Sequence, residues 1–222
     1  EDIEAQPQWG ADIYRAVSHL PGLASSEMSA RFSVRGGPAD ELLVRLDGLE
    51  LFEPFHLKDF DAALSILDVH AIGAVDLTTG GFTAEYGNHQ TGVLEMRSLA
   101  PPPRTRTSLG LSITNVRGLS EGTFAAGAGN WLLSVRRGYL DIVLKLVGSN
   151  AGDLSPLYYD AYGKVEYRLG EHHTLGLHVL RAADDVSYTT NHQHLTSAYG
   201  STYGWATWGV SAGPISGETV VA

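Results

Sequence analysis

The segment YDAYGKVEYRLG, residues 159–170, carries side chains whose character alternates along its length. Odd positions from 159 to 169 are mostly apolar or aromatic, whereas even positions from 160 to 168 are polar or charged. Because successive side chains of a β-strand point to opposite faces, this two-residue period predicts a strand with one apolar and one charged face. The tight turn GEHH that follows, residues 170–173, predicts a second strand that returns beside the first.

Similar segments surround this one and predict a run of strands of about ten residues joined by short turns. Such a run is typical of antiparallel β-structure, either a sandwich or a barrel. These segments are TSLGLSI (107–113), NWLLSVRRG (130–138), TLGLHVL (174–180) and YGSTYGWATWGVSAG (199–213). The exception is YLDIVLKLVG (139–148), whose apolar residues at helical spacing predict a helix within a long loop.

Aromatic residues in these strands raise the question of what surrounds the sheet. Tyr159 and Tyr167 share a face, and eight residues of tilted strand separate them by about 20 Å along a barrel axis. That spacing approaches the apolar band of about 25 Å that aromatic girdles flank in outer-membrane barrels. Tyr203, Trp205 and Trp208 lie near one end of another strand. A membrane barrel and a soluble sandwich both remain open at this point.

The first half of the chain has a different pattern, which predicts a small domain of mixed α and β structure. We expect short helices at ADIYRAVSHLPGL (11–23) and DFDAALSIL (59–67). We expect strands at RFSVRGG (31–37), ELLVRLDGLEL (41–51), VHAIGAVDLTTGG (69–81) and TGVLEMRS (91–98). The proline-rich segment APPPRTR (100–106) fits neither a helix nor a central strand, so we place the domain boundary there.

The charges divide at the same place. Residues 1–100 carry 16 acidic and 6 basic side chains, whereas residues 101–222 carry nine of each. An acidic first half argues against nucleic-acid binding, which needs a basic surface. The chain has no cysteine, which excludes disulfides and thiolate metal sites. It also has no apolar run long enough for a transmembrane helix, so a role in a membrane would have to come through strands.

No set of residues assembles a catalytic, metal or cofactor site. The glycine-rich stretch GGFTAEYGNHQTGVLEMRS (80–98) lacks the phosphate-loop motifs and leads into a strand, not a helix. His172, His173, His192 and His194 fit solvated turns better than a metal site. The neighbouring Asp184 and Asp185 fit a strand end, where they face opposite ways. Arg136 and Arg137 fit solvated positions at a strand rim.

The order and spacing of the motifs resemble the plug domain of TonB-dependent outer-membrane receptors. The matching motifs are LPGL, RFSVRGG, VRLDGLEL and VHAIGAVDLTTGGFTAEYGNHQTGVLEMRS, which lie between about residues 3 and 98. The resemblance implies an α+β plug domain at 1–99, followed at 104–222 by antiparallel transmembrane β-barrel strands. The family barrel has 22 strands and this chain supplies six or seven, so the barrel portion would be incomplete and the chain a fragment.

The resemblance also assigns residues by position. It implies structural or signalling roles in the plug, and no catalytic role, for Arg35, Gly36, Asp47, Gly48, Gly80, Gly81, Glu85, Tyr86, Gly87 and Gly92. Arg35 would pair with a carboxylate, because burying an unpaired guanidinium is very costly. A convincing TonB box, the segment that the family places upstream of the plug helix, is not visible.

The resemblance implies a receptor of the outer membrane, not an enzyme, that takes up a bulky, scarce ligand such as a siderophore, cobalamin or glycan. Its partners would be TonB, the periplasmic energy transducer, outer-membrane lipid and an unknown extracellular small molecule, with no cofactor and no nucleic acid. Two other classes stay open: a soluble β-rich ligand-binding protein of the glycan type, and an α/β enzyme that uses the glycine-rich turn.

Overall fold

The computed structural model describes residues 12–26, 29–59, 61–83, 86, 87, 89, 91–142, 153–189 and 194–222. The chain forms two compact units, Glu1–Leu99 and Ala100–Ala222, which are called unit 1 and unit 2 below. The division falls at the start of the proline-rich segment. Within the described ranges, no helix combines the length and the apolar character that crossing a bilayer requires.

The described residues of unit 1 form one α-helix and eight short strands. The helix begins where Asp12, which is fully buried, accepts hydrogen bonds from the backbone N–H groups of Tyr14 (2.9 Å) and Arg15 (3.3 Å). The elements are α1 (Ile13–Ser18), β1 (Leu23–Ser25), β2 (Phe32–Val34), β3 (Leu42–Leu46), β4 (Leu49–Glu50), β5 (Phe55–His56), β6 (Leu64–Ser65), β7 (Ile72–Thr78) and β8 (Gly92–Ser98). Single 3-10 turns lie at Ala39–Glu41 and Val69–Ala71.

The main sheet of unit 1 has the strand order β4-β3-β8-β7. Strands β3 and β8 run parallel, and both outer strands are antiparallel to their neighbours. The central strands carry the core, because Leu46, Leu94 and Met96 are at most 1% exposed. The four predicted strands and the helix predicted at 11–23 are therefore confirmed, and unit 1 has an α+β fold.

The helix predicted at 59–67 is wrong. Asp61 and Ala62 have positive φ angles of 58° and 50°, which are incompatible with a right-handed helix. The chain turns there and then forms β6, which pairs with β5. The second carboxylate oxygen of Asp12 accepts the backbone N–H of Ser65 at 2.6 Å, so the helix cap also holds β6 in place.

The described strands of unit 2 form an antiparallel sheet of seven strands in the order of the sequence, which confirms antiparallel β-structure for the second half. Strands β9 and β15 form its edges, and no further described strand pairs with either. The strands are β9 (Arg106–Leu111), β10 (Asn115–Phe124), β11 (Gly129–Gly138), β12 (Asp153–Leu169), β13 (His173–Thr189), β14 (His194–Ala212) and β15 (Ile215–Val221). A 3-10 turn at Ala125–Gly127 links β10 to β11.

Three of these strands are longer than the ten residues expected. Strands β12 and β13 have 17 residues each and β14 has 19. A 17-residue strand is about 56 Å long, which is well beyond the apolar band of a membrane barrel. The helix predicted at 139–148 falls largely outside the described residues.

The two faces of the seven-stranded sheet are reversed relative to a soluble protein. Asp160 and Lys164 on β12 are 4% and 7% exposed, whereas Val165 on the same strand is 46% exposed and Leu177 on β13 is 67% exposed. We call these sides the buried face and the exposed face. Members of the exposed face include Leu133, Val135, Tyr159, Val165, Tyr167, Leu169, Leu175, Leu177, Val179 and Trp208.

The aromatic residues are divided between the two faces. Tyr159 and Tyr167 both lie on the exposed face, as the alternation predicts. Trp208 lies there too, opposite Leu175. Tyr203 and Trp205 cannot form an aromatic girdle together with Trp208. Trp205 is buried, and Tyr203 lies on the same side of β14 as Trp205. Since the period of a strand is two, residues 203 and 205 cannot face the same way as residue 208.

Candidate functional site

The Asp47–Gly48 turn between β3 and β4 is tied to the end of β8. Both residues have positive φ angles, 43° and 83°, as a two-residue hairpin turn of type I′ requires. The carboxylate of Asp47 accepts the backbone N–H of Ser98 at 2.9 Å and its hydroxyl at 2.6 Å. Its own N–H donates to the carbonyl of Met96 at 3.0 Å. Asp47 therefore joins the hairpin to the last strand of unit 1.

Arg45 adds a second connection at the same turn. Its guanidinium donates to the Gly48 carbonyl at 2.9 Å and 3.2 Å and pairs with the Glu95 carboxylate at 3.1 Å. It also lies 5.5 Å from the centre of the Tyr86 ring, within the range of a cation–π contact. Arg45, Asp47, Gly48, Tyr86 and Glu95, together with Ser98, are called the turn network below.

Sequence reasoning missed Arg45 and Glu95. They meet because β3 and β8 pair in parallel with Arg45 opposite Glu95, although 50 residues separate them. The alternation in both segments predicts strands but not their pairing or register. The pair could have been predicted from the opposite charges of Arg45 and Glu95, which occupy corresponding positions in two predicted strands of one sheet.

Arg35 and Gly36 form a tight turn after β2. Their φ angles are 51° and 76°, and the Arg35 N–H donates to the carbonyl of Gly22 at 2.8 Å. The Arg35 side chain is exposed, and its Nη1 lies 3.3 Å from where a Cβ on Gly80 would be. Arg35 and Gly80, two of the predicted residues, are therefore close in space although they are far apart in sequence. Among the described residues no ion pair includes Arg35, so its pairing with a carboxylate stays a prediction.

The remaining predicted glycines occupy bends. Gly81 has a φ of 70°, and a Cβ on Gly92 would lie 3.0 Å from the carbonyl oxygen of Thr78, so both positions favour glycine. Gly87 is exposed in the turn that follows Tyr86, whose N–H donates to Thr83 at 3.1 Å. Glu85 lies outside the described residues. The structure therefore brings Asp47, Gly48 and Tyr86 together in the turn network. The predicted glycines lie at separate bends.

A cavity of about 530 Å³ lies in unit 1, and no predicted site residue lines it. Its walls combine aromatic rings with a few charged groups, which is typical of small-molecule sites. His89 Nε2 lies 3.3 Å from the Glu50 carboxylate, and Arg31 lies 3.5 Å from Glu53. The aromatic lining residues are Tyr14, Phe32, Phe52 and Phe55, of which Phe52 is 70% exposed. In the sequence, the cavity is indicated only by the FEPF segment (52–55), in which two phenylalanines enclose Glu53 and Pro54.

The buried face of unit 2 carries charges in pairs. Arg136 donates from Nε and Nη2 to the Asp160 carboxylate, at 2.8 Å each, and both side chains are buried. The prediction of a solvated rim position for Arg136 is therefore wrong, whereas Arg137 is exposed. Register explains the difference, because Arg136 lies opposite Asp160 in the neighbouring strand. Replacing such a pair by apolar residues can be neutral, but removing one partner is costly.

A stack of three rings lies beside this pair on the same face. The His178 ring is 4.7 Å from the Trp205 ring and nearly parallel to it, at 8°. Its Nδ1 lies 3.1 Å from the Tyr162 hydroxyl, and its Nε2 lies 3.4 Å from the Thr207 hydroxyl. All three rings are buried. The buried face is therefore polar but well packed and hydrogen-bonded.

The other polar candidates do not assemble a site. Asp184 and Asp185 lie within β13, four to five residues before its end, with Asp184 buried and Asp185 exposed, so their placement at a strand end is wrong. His172 contacts the Ser211 carbonyl at 2.7 Å, and His173 accepts from Trp208 at 3.4 Å. In the described part of the chain no three histidine or acidic side chains come together in a way that could hold a metal ion. His192 lies outside that part.

Comparison with protein families gives one match. Residues 1–94 match the model of the TonB-dependent Receptor Plug Domain. Comparison of the sequence with curated proteins gives no match. The family match covers all the predicted plug positions, including Glu85.

Comparison with solved structures gives the fold of the whole chain. The siderophore receptor PirA from Acinetobacter baumannii matches with a TM-score of 0.65 at 15% identity, over 94% of this chain and 36% of that one. A G324V mutant of the ferric enterobactin receptor PfeA from Pseudomonas aeruginosa matches with a TM-score of 0.64 at 11% identity, over 94% and 37%. The pyoverdine-bound FpvA of P. aeruginosa matches with a TM-score of 0.65 at 13% identity, over 93% and 30%.

These comparisons agree with the architecture. The chain spans about a third of the length of the solved structures it matches. Its α+β unit followed by an open antiparallel sheet corresponds to a plug domain followed by barrel strands. Residues 1–94 therefore match the plug domain of TonB-dependent receptors, and the chain shares its fold with the solved receptors.

Proposed function

We propose that this chain is the N-terminal part of an outer-membrane receptor that imports a bulky, scarce ligand with energy supplied through TonB. Members of the family are receptors and transporters, not enzymes. One observation carries the proposal for this chain: the sheet that follows the plug exposes its apolar face and buries its charged face. That distribution suits strands with lipid on one side and a polar interior on the other.

The same observation disfavours a soluble glycan-binding protein. A soluble sandwich would bury the face of Leu175, Leu177 and Val179 against a second sheet. Unit 2 consists of one sheet, and these side chains are between 43% and 67% exposed. An apolar surface of this extent in water would favour association.

We propose that residues 1–99 are the plug and that residues 104–222 are the first part of a barrel completed by further strands. The open edges of β9 and β15 support this assignment, because an unpaired edge in hydrocarbon costs several kcal/mol for each unsatisfied backbone group. The short match to solved receptors supports it as well, since about two thirds of each of those chains has no counterpart here.

The connections between strands suggest an orientation. The turns at 125–128, 170–172 and 213–214 lie at one end of the sheet and are short. The long connection at 139–152 lies at the other end, together with shorter connections at 112–114 and 190–193. Because periplasmic turns are short and extracellular loops are long, we assign the short turns to the periplasm. The segment that enters β9 then also comes from the periplasmic side.

For the ligand we propose the ferric siderophore class, with cobalamin and glycans as the alternatives. The solved receptors with this fold are siderophore receptors by their descriptions. In this chain the cavity of unit 1 offers aromatic walls, which suit a bulky, partly aromatic ligand.

For the plug we propose that the turn network and the glycine bends respond when TonB pulls on the chain. The turn network joins β3, β4 and β8 through the side chain of Asp47 and that of Arg45. A pull that separates these strands must first break charge-assisted hydrogen bonds, which are among the stronger ones. Arg35, Gly36, Gly80, Gly81, Glu85, Gly87 and Gly92 complete the set that we assign to structural or signalling roles.

The test is uptake by the complete receptor in a Gram-negative host that lacks its own siderophore receptors. We expect the protein in the outer-membrane fraction and accumulation of radiolabelled iron from at least one siderophore of a panel. Deletion of TonB should abolish this accumulation. Recovery of the protein in the soluble fraction, or uptake that is unaffected by loss of TonB, would contradict the proposal.

Cavity variants test the position of the ligand. Phe52→Ala and His89→Ala should raise the siderophore concentration needed for half-maximal uptake, because they remove cavity walls. Asp76→Ala is the matched control, since Asp76 is exposed on β7 and outside the cavity. Equal behaviour of all three variants would show that the cavity does not contact the ligand.

A further inference from the structure

The cavity of unit 1 is lined by more acidic than basic side chains. Among the described residues of its lining, Asp40, Glu50 and Glu53 carry carboxylates, whereas Arg31 carries a guanidinium and His89 an imidazole. The charges that a bound molecule meets here are therefore mainly negative. How far they are balanced depends on the contacts that each of these groups already makes.

The guanidinium of Arg31 is engaged on two sides. Its Nη2 lies 3.5 Å from the Glu53 carboxylate, and its central carbon lies 5.4 Å from the centre of the Phe55 ring. Lys58, which lies outside the lining, contacts the same carboxylate at 3.1 Å. Both cations of this region therefore balance Glu53, and the other two carboxylates of the lining have no such counterpart.

The remaining sequence of unit 1 does not reverse this balance. The residues of unit 1 outside the described ranges include five acidic and no basic side chains. Apart from Arg31, the lysines and arginines of unit 1 all lie outside the cavity lining, namely Arg15, Arg35, Arg45, Lys58 and Arg97. The cavity of unit 1 therefore keeps an excess of negative charge at neutral pH.

The aromatic walls of the cavity favour the same sign of ligand charge. The Tyr14 ring contacts those of Phe32 and Phe55, with ring centres 6.3 Å and 5.3 Å apart. The face of an aromatic ring is electron-rich and attracts a cation within about 6 Å. The guanidinium of Arg31 over Phe55 shows that this wall holds an organic cation. Phe52, which is 70% exposed, offers a further ring that a ligand can cover.

Two carboxylates remain for a ligand that carries a positive charge. The Glu50 side chain is 39% exposed, and His89 contacts it through one oxygen, Oε1, at 3.3 Å. Asp40 is exposed in the 3-10 turn Ala39–Glu41, and no ion pair within the described ranges includes it. A protonated amine can therefore meet both a carboxylate and an aromatic ring in one cavity.

We propose that this cavity selects a ligand that carries an organic cation, such as a protonated amine, and discriminates against multiply anionic ligands. The inference rests on the proposed function, which places the ligand at this cavity, and it narrows the ligand class by charge. Three hydroxamate groups give an uncharged ferric complex, because each loses one proton, and a free amine then makes the complex positive. Three catecholate groups lose two protons each and leave three negative charges, which the carboxylates of the cavity repel.

The test compares two ferric trishydroxamates that differ by one charge. Ferrioxamine B carries a protonated amine, and its N-acetylated form carries none. We expect the complete receptor in neutral detergent to bind the amine form about tenfold more tightly in calorimetric titrations at low salt, because carboxylates and ring faces attract the ammonium group. The preference should shrink at high salt, where ions screen the carboxylates. A ferric triscatecholate should bind more weakly than either hydroxamate.

Charge-neutral variants assign the preference to this cavity. Asp40→Asn together with Glu50→Gln should bring the two hydroxamates to nearly equal affinity, because both carboxylates are lost with little change in shape. Asp76→Asn removes an exposed carboxylate outside the cavity and is the matched control, which should keep the full preference. The comparison of the two hydroxamates on the wild-type receptor remains decisive if a variant fails to assemble.

Three results would overturn the inference: equal affinity of the wild-type receptor for both hydroxamates, tighter binding of the triscatecholate, or an unchanged preference in the double variant. A receptor that binds these siderophores without regard to their charge refutes this inference alone. One that binds none of them refutes the proposed ligand class.

Discussion

The two units of this chain follow opposite rules of burial. In unit 1, Leu46, Leu94 and Met96 are almost completely buried, as in any protein dissolved in water. In unit 2, Leu177 is 67% exposed while Asp160 is 4% exposed. Both units use the same two-residue alternation, so the pattern predicts a strand in each case. Which face becomes buried depends on the medium on either side of the sheet, and the alternation does not contain that information.

The largest expected effect comes from removing one charge from the buried face. Arg136→Met leaves the Asp160 carboxylate buried without its partner, which we expect to cost about 3–5 kcal/mol of the free energy of unfolding. Denaturant unfolding of the receptor in detergent measures this change. The double variant Arg136→Met with Asp160→Leu should recover most of the loss. A loss in the double variant equal to the sum of the losses in Arg136→Met and Asp160→Leu would show that the two charges act independently.

A charge placed on the exposed face should have the next largest effect. Leu177→Arg puts a guanidinium near the middle of the apolar band, and we expect it to cost about 2–4 kcal/mol if lipid surrounds that face. The measurement is the fraction of receptor that assembles in outer-membrane lipid vesicles. Thr196→Arg is a matched control, because Thr196 is exposed and lies on the same face of the sheet, but at the polar end of β14. If both positions tolerate arginine equally, unit 2 obeys the same rule as unit 1.

The smallest effect concerns the turn network of unit 1. Asp47→Ala removes the acceptor of two hydrogen bonds from Ser98, and we expect a loss of about 1–3 kcal/mol in local stability. Hydrogen exchange at the Ser98 amide should then become faster, because this end of β8 opens more often. Asp47→Asn keeps one oxygen for that amide and should cost less. If the exchange rate at the Ser98 amide is unchanged in both variants, Asp47 does not stabilise this end of β8.

The sequence predicts features that depend on local patterns and misses those that depend on distant ones. The strand around Tyr159 and the Asp47–Gly48 turn follow from alternation and from turn-forming residues. The pairing of Arg136 with Asp160 and of Arg45 with Glu95 does not, because it depends on the register between strands that are 24 and 50 residues apart. At 59–67 the helix prediction fails although it rests on a local pattern. Apolar residues at helical spacing also fit the turn found here, which the carboxylate of Asp12 stabilises.

The candidate site shows the same limit. The glycine positions and the turn at Asp47 are visible in the sequence, because each has a local conformational reason. The cavity and its Arg31, Glu50 and His89 are not visible, because these residues approach one another only after the sheet of unit 1 has formed. The alternation alone leaves the direction of the apolar face open, because the surrounding medium is not encoded in the period of the pattern.

The strand order of unit 2 also has a consequence for how the sheet is made. Every strand pairs with the one before it in the sequence, and the turns at 170–172 and 213–214 are three and two residues long. Apart from the connection at 139–152, each new strand therefore closes only a short loop, which costs little chain entropy and favours fast pairing. The sheet can therefore grow one hairpin at a time, with each strand pairing on the edge that the preceding strand provides.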